Sequence, residues 1–154
     1  MQVINIALVI TLMLAGIQSK PALACTTFTH KAADGIVFAG NMDLLVSTGG
    51  LVVVNRRGIA KRNIRPNKDG TIASWTTRYG SVSFNIAGRG FAWGGLNEEG
   101  LAIQTLEVRT EVYPEPDHRI PLDNGSWIQY ALDMAGSVAD VVEMDKTMRP
   151  LNWT

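Results

Sequence analysis

A single cysteine, Cys25, stands directly after Ala22-Leu23-Ala24 and directly before Thr26-Thr27-Phe28. Cleavage between Ala24 and Cys25 would leave a first residue bearing both a thiol and a free α-amine. A thiol ionises near about 8.5 and an α-amine near about 7.7 to 8.0, so around neutrality the amine can take the thiol proton, directly or through a water. This is the nucleophile and base pairing that other sites assemble from Cys and His, and it needs no histidine. His30 lies on the same predicted strand as Cys25, well over ~10 Å away at about 3.3 Å per residue and on the opposite face. His118 lies in a proline-rich loop, and both histidines read as surface residues. With no H-x-x-H, C-x-x-C or acidic cluster in the chain, neither a metal nor another cofactor is expected.

Whether the amine is freed depends on residues 1–24. An apolar block from Ile4 to Gly16, polar residues Gln18-Ser19-Lys20, then Pro21 and an A-x-A pattern read as a signal peptide, too short and wrongly flanked for a membrane anchor. Residues 25–154 are then one exported domain, periplasmic or secreted. A lone thiol in an oxidising compartment is kept for reactivity, lipidated, or paired with another chain, and local features leave all three open. A lipobox would place Leu three residues before the cysteine, where this chain has Ala22. The 14 basic and 14 acidic side chains balance, and neither sign forms a long block. Nucleic acid and a polybasic membrane tether are not expected partners.

The elements that must position Cys25 come next. Cys25 to Lys31 and Ile36 to Ala39 predict two strands closing around Ala33-Asp34-Gly35, a strong hairpin signal. Hairpin counting then sets Cys25 opposite a position between Met42 and Leu44, so Asp43 falls beside the new N-terminus, where it can orient the amine. Taken alone, an Asp after this stretch is as readily a turn residue. Leu51 to Arg57 reads as a continuous run of the kind found in a strand covered on both faces. Thr71 to Thr77, Ser81 to Asn85 and Ala102 to Val108 predict further strands, with Tyr113 to Pro121 as a loop. Asn124 is expected to cap a helix whose buried face is Ile128, Ala131, Leu132 and Ala135, ending near Gly136. Ser137 and Asp140 suggest a capping box for a second helix carrying Val138, Val141 and Val142. Strands first and helices after define an α+β order with a mostly antiparallel sheet.

Cys25-Thr26-Thr27-Phe28, Asp34-Gly35, Gly40-Asn41-Met42-Asp43, Gly95-Leu96-Asn97-Glu98-Glu99-Gly100-Leu101 and Trp127-Ile128-Gln129-Tyr130 together resemble the choloylglycine hydrolase family of linear amide C–N hydrolases. The resemblance runs in order over residues 25–154. It implies an N-terminal-nucleophile hydrolase αββα fold, and cleavage of a small-molecule acyl-amide through an acyl-thioester on Cys25. The family includes penicillin V acylases and conjugated bile acid hydrolases. It also implies that Asp43 is the aspartate near the amine and that the backbone N–H of Glu107 helps form the oxyanion hole, a role that does not depend on the side chain.

Two departures accompany it. Gly40 stands where the resemblance has Arg or Lys, removing a cation from beside the thiol. Family members also run to about twice the length of this domain, and their second half supplies another oxyanion Asn and a further Arg. An incomplete αββα fold is therefore expected, marginal alone, with an uncovered apolar sheet face through which the chain could self-associate. The alternatives to an active enzyme are an inactive remnant of the same fold or a lipid-anchored exported protein.

Overall fold

The computed structural model describes residues 25–43, 47–67, 70–108 and 110–151. The leader expected over residues 1–24 lies outside them. Strands β1 (Thr26–Ala32) and β2 (Gly35–Asn41) form an antiparallel hairpin turning at Ala33-Asp34, in the expected register. A four-stranded antiparallel sheet follows in the order β3-β6-β7-β8, built from Leu51–Asn55, Ser81–Ala87, Phe91–Asn97 and Ala102–Gln104. A small antiparallel pair, β4 (Ala60–Arg62) and β5 (Ser74–Thr76), and a parallel pair, β9 (Ile120–Asp123) and β10 (Met148–Leu151), complete the strands. The helices are α1 (Asn124–Met134) and α2 (Val138–Met144).

The α+β order with a mostly antiparallel sheet is as expected, with local corrections. Pro121 lies inside β9 rather than in a loop; its missing N–H is tolerated because β9 belongs to a sheet of only two strands. The cap of α1 is Asp123 rather than Asn124: its Oδ1 accepts from the Ser126 N–H at 2.9 Å, and its Oδ2 accepts from Ile64 N and Arg65 N. One carboxylate thus starts the helix and fastens the loop after β4. Ser137 caps α2 as expected, accepting from Asp140 N, while the Asp140 carboxylate accepts from Gly136 N.

The helix α1 lies across the sheet and divides two apolar clusters. On one side Leu122, Trp75, Tyr130 and Met148 pack together, Trp75 meeting Tyr130 edge to face at 5.2 Å between ring centroids. On the other side Ile128 and Leu132 meet Ala92 of β7. Leu132 and Ala131 are fully buried; a buried Leu contributes about 1.5–3 kcal/mol. By contrast α2 buries no residue, and its Val138 and Val142 are exposed. Of the apolar residues expected on α2, Val138 and Val142 thus face solvent, while Val141 is half-buried and Met144 packs against the first cluster.

The sheet's two faces differ in chemistry. Ser81, Ser83, Asn85 and Asn55 face the helix, where Ser83 Oγ donates to Asn85 Oδ1 at 2.8 Å and Asn55 Nδ2 donates to Ser83 Oγ at 3.1 Å. The opposite face carries Val52, Val54, Val82, Phe84 and Leu96, adjacent across the strands and all exposed. The expectation that Leu51 to Asn55 is covered on both faces fails on this outward side.

Candidate active site

Hairpin pairing determines what surrounds Cys25. Its last rung joins Thr26 to Asn41, so the next pair outward is Cys25 and Met42, with Asp43 one residue further on. The side chain of Asn41 ties these positions together. Its Oδ1 accepts from the Thr26 N–H at 2.6 Å and its Nδ2 donates to Asp43 Oδ2 at 3.0 Å. The Asp43 carboxylate is thereby held on the Cys25 side of the hairpin mouth. The thiol is free and half-buried.

Gly40, paired with Thr27, is where the hairpin meets the main sheet. A Cβ added there would lie 3.1 Å from Thr27 Cγ2, 3.2 Å from Thr26 O and 3.4 Å from Gln104 Cγ. Across the sheet Gly94, paired with Gln104, leaves space for the same side chain: a Cβ at Gly94 would meet Gln104 Oε1 at 2.4 Å. Two glycines thus admit Gln104 against the mouth of the hairpin. The sequence shows the loss of a cation at position 40 but gives no sign that Gln104 fills the space.

Three residues beyond Gln104, Glu107 is exposed and lines a mainly apolar cleft of about 520 Å³ with Phe91, Trp93, Leu106, Trp127 and Ile128. The Trp93 Nε1–H is buried and has no hydrogen-bond partner among the described residues, which leaves one donor for whatever enters. Cys25 and Asp43 do not line this cleft. The structure therefore joins Asp43 through Asn41 to Thr26, the residue after Cys25, and relates Glu107 to them only through the Gly40–Gln104 contact. Asn41 is the residue sequence reasoning missed; its place between Thr26 and Asp43 in the hairpin register was the available signal. His30 and His118 are exposed.

The segment Gly95 to Leu101 has a scaffolding role. Asn97 is buried and uses all its amide capacity: Nδ2 donates to Leu132 O at 3.0 Å and Ala135 O at 2.6 Å, while Oδ1 accepts from Glu99 N and Leu101 N. It closes the C-terminus of α1 and the β7–β8 turn with one side chain. A Cβ on Gly95 would lie 2.5 Å from Val82 O and 2.8 Å from Leu132 Cδ1, so glycine lets the helix touch the strand. Gly100 turns the hairpin with φ +87°. Glu98 Oε1 accepts from Gly80 N and from Arg57, and these bonds, Arg57 foremost, hold its carboxyl below the ordinary glutamate range.

A β-hairpin with a half-buried cysteine at its open end, beside a sheet covered on one face by α1, is part of the arrangement of an N-terminal-nucleophile hydrolase fold. The chain belongs to the linear amide C–N hydrolases of the choloylglycine hydrolase family, whose family model matches residues 25–154. Among solved structures it is similar to penicillin V acylase from Agrobacterium tumefaciens, with a TM-score of 0.69 and 23% sequence identity over 84% of this chain. The match covers 40% of that acylase's chain. No curated protein matches the sequence.

Proposed function

We propose that the chain is exported, is cleaved before Cys25, and carries the nucleophile of an amidohydrolase acting on linear, non-peptide amides. The observation that carries this reading is the Thr26–Asn41–Asp43 hydrogen-bond relay at the hairpin mouth in a chain of this family. The α-amine of Cys25 takes the Sγ proton, and Sγ attacks the amide carbon. The oxyanion that forms is held by backbone N–H groups, that of Glu107 among them. As the C–N bond breaks, the ammonium returns its proton to the departing nitrogen, leaving an acyl-thioester. Water, deprotonated by the same amine, attacks the thioester, and the acid and the thiol are released. Asp43 keeps the amine oriented and stabilises its charged form. The mainly apolar cleft that begins at Glu107 takes the acyl group, with Trp93 Nε1–H as a buried, unpartnered donor in its lining.

Penicillin V and conjugated bile acids are the first substrates to assay. Mass spectrometry of the mature N-terminus should find free Cys25, and a brief reaction should trap an acyl adduct on that residue. Cys25→Ala should abolish turnover. A diacylglyceryl group on Cys25 would instead indicate an anchor, and no turnover of any acyl-amide by a chain beginning at Cys25 would indicate a remnant without activity.

A further inference from the structure

On the helix side of the sheet, remote from the face where Gly40 and Gln104 meet, Lys61 and Arg62 of β4 and Arg89 of the β6–β7 turn surround a cleft of about 210 Å³. Gln129, Ser126 and Trp75 line it from within. Gln129 is 5% exposed, and its Nε2 donates to Asp133 Oδ1 at 2.8 Å and to Ser81 Oγ at 3.4 Å. Those bonds use both N–H groups and fix which way the amide is turned. Its Oε1 is left buried with no partner among the described residues. Ser126 Oγ is engaged by Ile64 N and Asp123, so it does not satisfy that oxygen.

The charges around the cleft do not balance. Asp133 is fully buried and accepts from Lys61 Nζ at 3.0 Å and from Trp75 Nε1 at 2.7 Å. Lys61 also donates to Asn55 Oδ1, which leaves one of its three N–H groups free. The guanidinium groups of Arg62 and Arg89 have no ion pair among the described residues. Asp133 is thus the one carboxylate set against these three cations; Asp123, behind Ser126, is taken up by the N–H groups of Ile64, Arg65 and Ser126, and a buried acceptor remains among the cations.

We propose that this cleft binds a small oxyanion that carries its own hydrogen-bond donor, of which hydrogenphosphate is the simplest example. The anionic oxygens meet Arg62, Arg89 and the free Lys61 N–H, while the ligand's O–H donates to Gln129 Oε1. The volume lies between that of a benzene-sized cavity and a drug-sized pocket, which suits a ligand of a few heavy atoms. Desolvation lowers the Lys61 pKa and Asp133 offsets this only in part, so the half-buried ammonium gains from a second counter-ion. Sulfate has the size and charge of phosphate but no proton at neutral pH, and would turn an oxygen against Gln129 Oε1.

The test is a titration of the ¹⁵N-labelled chain with inorganic phosphate and with sulfate at matched ionic strength and neutral pH. The Gly90 amide and the Gln129 side-chain NH₂ are the reporters. Phosphate should shift both saturably and bind roughly tenfold more tightly than sulfate, the discrimination expected from one buried acceptor. Arg89→Gln, at an exposed position that leaves the fold intact, should weaken phosphate at least about threefold. Absence of saturable shifts, equal affinity for the two anions, or unchanged affinity in Arg89→Gln would each overturn the proposal.

Discussion

Replacing Asn97 by Ala should unfold the chain at markedly lower temperature without touching Cys25. The substitution removes four hydrogen bonds at once. Glu99 N lies at an exposed turn and can turn to water, but Leu132 O, Ala135 O and Leu101 N belong to residues that are at most 5% exposed. Each buried group left without a partner costs about 1–3 kcal/mol, and a water entering the vacated space recovers part of it. The net loss is about 3–5 kcal/mol, a large share of the 5–15 kcal/mol typical of a whole domain. It should lower Tm by roughly 10–20 °C in a domain of this size, measured by circular dichroism at fixed protein concentration. Asn97→Asp gives a second reading. The new carboxyl keeps an acceptor for Glu99 N and Leu101 N but turns its other oxygen against two carbonyls, which raises its folded pKa. Its charged form is therefore destabilising, and the variant should gain stability as pH falls through that raised value. A loss under about 1 kcal/mol in Asn97→Ala, or an Asn97→Asp variant that weakens as pH falls through that window, would refute the scaffolding role.

Three further outcomes follow from named contacts. Gly40→Arg should cost about 1–3 kcal/mol because its Cβ presses on Thr27 Cγ2 and the Thr26 carbonyl; adding Gln104→Ala, which removes only the loosest of the three contacts, should recover a minor part of that but give the guanidinium room and speed thiol alkylation at Cys25, measured by urea melts and iodoacetamide kinetics. Glu98 is depressed by Arg57 and the Gly80 N–H, so its contribution is present above the ordinary glutamate range and lost as pH falls through the depressed value; Glu98→Gln should flatten that part of the acid-unfolding profile. The outward sheet face should bind a hydrophobic dye and make sedimentation concentration-dependent, and Phe84→Ser, at a 57% exposed position, should reduce both.

Local pattern carried the hairpin, the α+β order and the buried face of α1, because each depends on residues close in sequence. Asp34-Gly35 sets a turn, the turn sets a register, and the register sets Thr26 against Asn41, whose side chain bonds Asp43. Failures occurred where a distant partner decided the outcome. The pair of β9 with β10, separated in sequence by both helices, made a strand of a segment whose prolines read as loop. Asp123 took the cap from Asn124 because it could also bind Ile64 and Arg65. At the candidate site hairpin counting already set Asp43 near Cys25, and Asn41 between Thr26 and Asp43 was legible in the same register. Gln104 in the space beside Gly40 became visible only in three dimensions.

The sheet explains why a motif can mark a family and yet carry no chemistry. Strand β6 places its polar residues Ser81, Ser83 and Asn85 under the helices and its apolar Val82 and Phe84 outward, the reverse of a two-layer sheet that turns one face to water. On the polar side the β6 side chains are engaged by Asn55, Gln129 and the Arg89 carbonyl. On the other side Val52, Val54 and Leu96 extend the apolar residues into one surface, and only another packed layer would remove it from water. An αββα architecture has such a layer in its second sheet. Asn97 and Gly95 hold α1 against the polar face, and the Cys25 hairpin meets β8 at Gln104 on the apolar one. Within the motifs that carry the resemblance, Gly95 and Asn97 therefore fix the distance between helix and sheet, while Cys25 and Asp43, proposed for the chemistry, belong to the hairpin that meets the uncovered face.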